Sequence, residues 1–136
     1  MAASSQSEAF ELRVPVVSAD IDELGHVNNT VYLRWVQDVA IGHWKALALP
    51  EDQAAIVWVV MRHEIDYKAP AFAHDEIILR TWVGVASRLT FERHTEIFRA
   101  SDRHLLAQAR TLWCPISTAT GKPTRVSPEV RARFSA

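Results

Sequence analysis

Two aspartates, a glycine, a histidine and two asparagines occur within about ten residues, immediately before a helical pattern begins. These residues are Asp20, Asp22, Gly25, His26, Asn28 and Asn29. The first turn of a helix presents unpaired backbone N–H groups and a positive dipole end, which suit an anion or a developing oxyanion. A carboxylate beside such donors is what acyl transfer requires, since one group attacks or activates water and the other stabilises the tetrahedral intermediate. A helix cap or a solvated loop uses the same residue types, so composition alone leaves these alternatives open.

The composition is typical of a globular protein, with 49% hydrophobic and 23% charged residues. The formal net charge of -1 does not favour binding to nucleic acid or to an anionic membrane. No apolar run approaches the roughly 18 residues of a membrane span, and the N-terminus lacks the pattern of a secretory signal, so we expect a cytoplasmic protein. The length of 136 residues predicts one domain at 10–136, after a disordered segment at 1–9.

The helix and strands that must position these residues follow from the hydrophobic period. Apolar residues alternate from Phe10 to Val16 and predict a strand, which Pro15 places at a sheet edge or at the strand's end. From Thr30 the apolar residues recur three or four apart, which predicts a helix of about 17 residues that ends near Pro50. Four later runs rich in β-branched and aromatic residues predict strands: AIVWVVMRHEIDY, EIILRTWVGV, LTFERHTEIFR and LLAQARTLWCPI.

One long helix followed by a series of strands predicts an α+β fold, with the helix on one face of a curved antiparallel sheet of about five strands. The run STATGKPTRVSPE predicts a turn and a poorly ordered tail, with a last short helix over Pro128 to Phe134. Open sheet edges favour pairing with a second copy of the chain. Cys114 is the single cysteine, and its apolar neighbours predict a core residue.

The run DIDELGHVNNTVYLRWVQ resembles the signature of hot-dog-fold acyl-CoA thioesterases of the 4-hydroxybenzoyl-CoA thioesterase type. The likeness continues through IDYKAPAFAHDEIILRT and LLAQARTLWCPISTATGKP and covers roughly residues 10 to 134. It implies a hot-dog fold in which the sheet wraps a long central helix. It also implies an acyl-CoA substrate, hydrolysis by water alone, and active sites between the subunits of a homo-oligomer, either a dimer or a tetramer.

The resemblance implies catalytic roles for five residues of the motif. Asp22 matches the family's catalytic carboxylate, which acts either as nucleophile or as general base, and Asp20 matches a companion acid. The backbone N–H of Asn29 is the implied oxyanion donor. His26 and Asn28 are expected to shape the loop, contact the acyl carbonyl or place the water.

Substrate contacts are expected from two further groups of residues. The start of the helix contributes Thr30, Val31 and Tyr32, and the acyl pocket is expected to include Tyr32, Trp35, Val59 and Met61. The phosphates of coenzyme A require local cations, for which Arg88 is the leading candidate. Weaker candidates are Arg62, His63 and Lys68.

Other reaction classes have little support in the sequence. There is no Gly-x-Ser-x-Gly turn, no glycine-rich nucleotide loop and no pair of histidines with metal-ligand spacing, so no cofactor is expected. Two alternatives stay open at this point. One is a hot-dog protein that binds acyl-CoA or acyl carrier protein without cleaving it, and the other is an acyl carrier protein thioesterase.

Overall fold

Alternating apolar and polar residues form five antiparallel strands, and the segment with helical period forms one long helix against the sheet. The computed structural model describes residues 9–134. The strands are β1 (Phe10–Pro15), β2 (Ile56–Tyr67), β3 (Glu76–Ala86), β4 (Phe91–Arg99) and β5 (Leu105–Ser117). The helices are α1 (Asn29–Leu47), α2 (Pro50–Ala55) and α3 (Pro128–Phe134). The predicted α+β fold, with a long helix on a curved sheet of five strands, is confirmed.

The sheet order is β1-β3-β4-β5-β2, so β1 and β2 form its two edges. Pro15 is the last residue of β1 and pairs with Glu76, which agrees with the predicted position of a proline at an edge or strand end. β2 pairs only with β5 among the described residues, which leaves one side of a 12-residue strand unpaired. The two ends of β2 therefore lie at opposite ends of the same open edge.

Helix α1 begins at its cap, where the Asn28 side chain accepts a hydrogen bond from the Thr30 N–H. Its buried face includes Trp35, Val36 and Val39, which pack in one core with side chains of the sheet. Each large apolar side chain buried in this way contributes about 1.5–3 kcal/mol. This packing holds the first turn of α1 in a fixed position relative to the strands.

Two parts of the chain differ from the predicted structure. Helix α2 was not predicted, because Pro50 ends the helical pattern of α1 yet itself stands in the first turn of a new helix. The segment predicted to be a poorly ordered tail instead packs on the core. Its Thr124 N–H donates to the Pro115 oxygen at 2.9 Å. Val126 and Val130 are buried in one cluster with Ile56 and Phe91.

Other predictions about single segments can be compared directly. The last helix is confirmed over Pro128–Phe134, and Cys114 is buried as predicted. The disorder predicted for residues 1–9 falls almost entirely outside the described part of the chain. Within residues 9–134, no helix combines the length and the apolar character that crossing a membrane requires.

Candidate active site

The loop before α1 folds into a tight antiparallel turn that carries Asp22 back toward the helix. Ile21 and Val27 form an isolated bridge, and the Asp22 N–H donates to the His26 oxygen at 2.7 Å. Gly25 closes the turn with a φ of 80°. This left-handed conformation is disfavoured for residues that have a Cβ and is readily adopted by glycine. The turn thereby brings a carboxylate and the first turn of a helix to the same place.

The Asp22 carboxylate is held through one of its two oxygens. Oδ1 accepts hydrogen bonds from the backbone N–H groups of Leu24, at 2.9 Å, and of His26, at 3.1 Å. Oδ2 has no hydrogen-bond partner among residues 9–134. The two amides therefore orient the carboxylate and leave one oxygen available for chemistry.

The first turn of α1 leaves one backbone N–H without an acceptor. The Thr30 N–H donates to Asn28 Oδ1 at 2.9 Å, and the Val31 N–H donates to the Asn28 backbone oxygen at 2.9 Å. For the N–H of Asn29, the first residue of α1, the described residues supply no acceptor. The unpaired donor thus stands at the positive end of the helix dipole.

A cleft of about 460 Å³ lies beside these groups, and we call it the polar cleft. It is lined by Asp22, Leu24, His26, Val27, Asn28, Asn29, Tyr32, Tyr67, Lys68, Ala69 and Pro70. Five of the predicted site residues, together with Lys68, are brought together here: Asp22, His26, Asn28, Asn29 and Tyr32. Tyr67 was not predicted. Its hydroxyl donates to the Asn29 oxygen at 3.3 Å, a contact between the end of β2 and the start of α1 that no local pattern indicates.

Asp20 does not line the polar cleft. Its side chain is 2% exposed and accepts hydrogen bonds from the Val17 N–H and from Arg34 Nη2, both at 3.1 Å. Its backbone oxygen accepts the Asn28 N–H at 2.8 Å. The Asp20 carboxylate therefore connects the loop before α1 to Arg34 on that helix.

Tyr32 lies between the polar cleft and the hydrophobic core and contacts both. Its hydroxyl accepts a hydrogen bond from the Ala71 N–H at 3.0 Å. Burial raises the pKa of the Tyr32 hydroxyl, so this group stays protonated at neutral pH. Thr30 and Val31 do not line the cleft, since the Thr30 hydroxyl donates to Asn28 Oδ1 at 2.9 Å and Val31 is buried in the core.

The predicted cations lie in different places. Lys68 lines the polar cleft, whereas Arg62 is an exposed residue of β2 paired with Glu64 at 2.9 Å. Arg88 lies in the turn after β3, at the far end of that strand from the Asp22 loop. β3 has 11 residues and is therefore about 35 Å long. Within one chain, only Lys68 of these three lines the polar cleft.

The sequence matches the thioesterase-like superfamily over residues 16–134, and the chain belongs to this superfamily. No curated protein matches the sequence. Solved structures do, and among them is the 1,4-dihydroxy-2-naphthoyl-CoA thioesterase from Synechocystis, with 22% identity and a TM-score of 0.80. That comparison covers 93% of this chain and 95% of the other.

Two further structures have the same fold. The DHNA-CoA thioesterase from Staphylococcus aureus is 21% identical with a TM-score of 0.81, over 93% of this chain and 88% of the other. A thioesterase from Thermus thermophilus, solved with coenzyme A and Zn, is 24% identical with a TM-score of 0.79, over 93% of this chain and 97% of the other. At these identities the likeness establishes the hot-dog fold.

Proposed function

We propose that this protein is an acyl-CoA thioesterase that hydrolyses its substrate in the polar cleft. The observation that carries the proposal is that Asp22 Oδ2 and the Asn29 N–H, neither of which has a hydrogen-bond partner among residues 9–134, belong to residues that line one cleft. Membership of the thioesterase-like superfamily supports hydrolysis of a thioester in general. Coenzyme A as the carrier is supported by the structural relatives, one of which was solved with coenzyme A bound.

The two groups divide the reaction between them. In the general-base route, Asp22 takes a proton from water as the water oxygen attacks the thioester carbonyl carbon. The carbonyl oxygen becomes an oxyanion, which the Asn29 N–H and the helix dipole stabilise. Collapse of this intermediate breaks the carbon–sulfur bond, and the thiolate of coenzyme A receives the proton. In the nucleophilic route, Asp22 attacks the carbonyl carbon, the carbon–sulfur bond breaks to release the thiolate of coenzyme A, and the resulting mixed anhydride remains. Water then hydrolyses the anhydride to the free acid and regenerates the Asp22 carboxylate; the protons of that water pass to the released acid and the thiolate.

The other motif residues support this geometry. Asn28 caps α1 with its side-chain oxygen, and His26 contributes the second amide that holds Asp22. The His26 ring contacts Phe72 edge to face at 5.3 Å between centroids, which anchors the loop to the segment after β2. Asp20 is a positioning residue in this proposal, since its carboxylate binds Arg34 outside the cleft.

We propose that the active form is a homo-oligomer built on the open edge of β2. Val57, Val59 and Met61 alternate along this strand and are 48%, 47% and 61% exposed. An unpaired apolar edge strand of this length requires cover, and a second β2 supplies it. Antiparallel self-pairing would bring Tyr67, which lines the polar cleft, near the Ile56 end of the partner's strand. Arg88 and Arg62, which do not line the polar cleft of their own chain, would in this assembly contact a substrate bound to the partner.

The oligomer has a direct test on the edge strand. Val59→Lys places a charge on an apolar interface and should convert a dimer or tetramer to monomers in sedimentation velocity. Glu64→Lys, on the polar half of the same strand, is the matched substitution for comparison. A wild-type protein that sediments as a monomer at micromolar concentration would refute this assembly. The cytoplasmic location, the 4-hydroxybenzoyl-CoA type and the absence of any cofactor stay predictions.

The thioesterase proposal is tested by following thiol release from short, long and aromatic acyl-CoAs. Asp22→Asn keeps the shape of the side chain but removes the base or nucleophile, so we expect kcat to fall on the order of 100-fold or more. Asp38→Asn is the matched control, because Asp38 lies exposed on α1 with its side chain 53% accessible. An Asp22→Asn enzyme as fast as wild type would exclude Asp22. If the wild-type protein binds acyl-CoA without releasing thiol, it is a binding protein and not a hydrolase. If it hydrolyses the same acyl group faster on acyl carrier protein than on coenzyme A, the natural carrier is acyl carrier protein.

A further inference from the structure

A second and larger cavity, of about 860 Å³, lies at the other end of α1, and we call it the apolar cavity. Its walls come from the C-terminal half of α1, from β2, β3, β4 and β5, and from α2 and α3. They include the side chains of Trp44, Trp58, Phe91, Trp113, Val130 and Phe134. A largely apolar space of this size is typical of sites for small organic molecules.

One wall of the apolar cavity carries a buried arginine that has no counter-ion among residues 9–134. Arg93 is 9% exposed, and its Nη1 donates to His43 Nδ1 at 2.9 Å and to Thr81 Oγ1 at 3.1 Å. Both acceptors are uncharged, since burial and the Arg93 charge lower the pKa of His43 to about 4. Among the described residues, no carboxylate pairs with Arg93, and its Nε and Nη2 have no acceptor. Burial lowers the pKa of Arg93 to about 10, so the guanidinium is charged at neutral pH.

The rest of the wall does not compensate this charge. Lys45 also lines the apolar cavity, and among residues 9–134 the one carboxylate of the lining belongs to Glu92. Glu92 is already bonded to Arg110 and to His94. Among the described lining residues, the charges of Arg93 and Lys45 therefore have no carboxylate partner.

We propose that the apolar cavity binds an apolar chain or ring that ends in a carboxylate, with Arg93 as its counter-ion. A buried guanidinium is costly without an anion, and a carboxylate matches the two parallel N–H groups that Arg93 keeps unpaired. The apolar walls fit the body of such a molecule. Two sources supply this chemistry: a free carboxylic acid, or the far end of an acyl group on coenzyme A. The second source rests on the proposed thioesterase function, and the first does not.

The direct test is binding of octanoate and of octanol, which differ only in the group that Arg93 would meet. Intrinsic tryptophan fluorescence reports binding without turnover, because Trp44, Trp58 and Trp113 line the apolar cavity. We expect octanoate to bind on the order of 10-fold or more tighter than octanol. Equal affinity for the two in the wild-type protein would overturn the proposal, whatever the variants do.

Variants then assign the preference to one residue. Arg93→Met should bind octanol as well as wild type does but lose its preference for octanoate, while Arg93→Lys retains part of it. Arg13→Met is the matched control, since Arg13 is an exposed residue of β1 that pairs with Glu76 and does not line the apolar cavity. A preference that survives Arg93→Met would overturn the assignment. The assignment would also be overturned if Arg93→Met lost as much affinity for free coenzyme A as for octanoate, because that result would place a phosphate at Arg93.

The two sources are separated by hydrolysis of octanoyl-CoA and of the mono-CoA thioester of octanedioic acid. If the acyl group brings the carboxylate, kcat/KM favours the diacid thioester in wild type, and Arg93→Met reverses that preference. If a free acid is the ligand, octanoate binds in an Arg93-dependent manner but the two thioesters are hydrolysed alike. Binding is also measured in Asp22→Asn, so a failure of the proposed catalysis leaves the result on the apolar cavity intact.

Discussion

The charged side chains near the two ends of α1 differ in their burial and in their hydrogen-bond partners. At the N-terminal end, the Asp22 carboxylate is held by two backbone amides beside solvent, and one oxygen stays available. At the C-terminal half, Arg93 is buried beside an apolar cavity with only neutral acceptors. The first arrangement prepares a group for reaction, because the helix end and the amides orient it without a counter-ion. The second leaves a buried charge that an anionic ligand can neutralise.

The two regions also differ in how far apart in sequence their residues lie. The proposed reactive groups of the polar cleft, Asp22 and Asn29, lie close together along the chain. The walls of the apolar cavity come from segments far apart in sequence, and the His43–Arg93 contact joins residues separated by 50 positions. We therefore expect substitutions at the N-terminal end to change the rate of any acyl-CoA hydrolysis, and substitutions near the cavity to change what is bound.

The largest effect is expected from removing the backbone N–H of Asn29 at the start of α1. Asn29→Pro deletes that donor at the first helical position, where proline is favoured. Asn28 has φ of -60° and ψ of 139°, which suits a residue that precedes proline. We expect kcat to fall about 10²–10³-fold in the thiol-release assay, the effect of losing one oxyanion donor.

The control for that substitution is Asn29→Ala, which keeps the backbone N–H and removes only the side chain. Its kcat should stay within about threefold of wild type if the amide is the oxyanion donor. A slow Asn29→Ala enzyme, or an active Asn29→Pro enzyme with unchanged circular dichroism, would move the oxyanion site away from this amide.

At the other end of α1, burial of His43 should make stability depend on pH. The pKa of His43 is lowered from its ordinary 6.5 to about 4, mainly by burial and to a smaller extent by the Arg93 charge. The unfolded chain takes up this proton at a higher pH than the folded chain does. The free energy of unfolding should therefore decline as the pH falls from about 6.5 to about 4, by about 3 kcal/mol in total.

Urea unfolding at several pH values measures this decline, and His43→Gln should remove the part that belongs to His43. A His43 ring signal that titrates near its ordinary pKa in the folded protein would contradict the assignment of a buried, neutral imidazole. Such a result would also weaken the contrast between the solvated and the buried end of the helix.

The smallest of the expected effects is that of substituting Asp20. This substitution tests whether Asp20 positions the loop before α1 or takes part in the reaction. Asp20→Ala removes the hydrogen bonds from Val17 and Arg34 and should lower the free energy of unfolding by about 1–3 kcal/mol. Asp38→Ala, which affects only an exposed pair with Arg34, should change it by about 0.5 kcal/mol or less. If Asp20→Ala instead abolishes thiol release while the protein stays folded and stable, Asp20 belongs to the chemistry.

Much of the fold could be predicted because its signals are local. The period of the apolar residues places α1 within one residue of its observed start, and β-branched runs locate the strands. Helix α2 escaped prediction because Pro50 both ends one helical pattern and starts another. The segment after β5 escaped because its polar composition hides the few apolar side chains, Val126 and Val130, that dock on the core.

The sequence by itself determined the helix, the strands and the polar motif whose spacing sets Asp22 beside the first turn of α1. Those features depend on side chains and backbone within a few residues of one another, so a local pattern carries them. Only the tertiary structure decided that Asp20 turns to Arg34, that Tyr67 reaches Asn29, and that Arg93 meets His43 rather than a carboxylate. Each of these contacts depends on how the loop, the strands and α1 pack together. That arrangement follows from the packing of the whole core rather than from neighbouring residues.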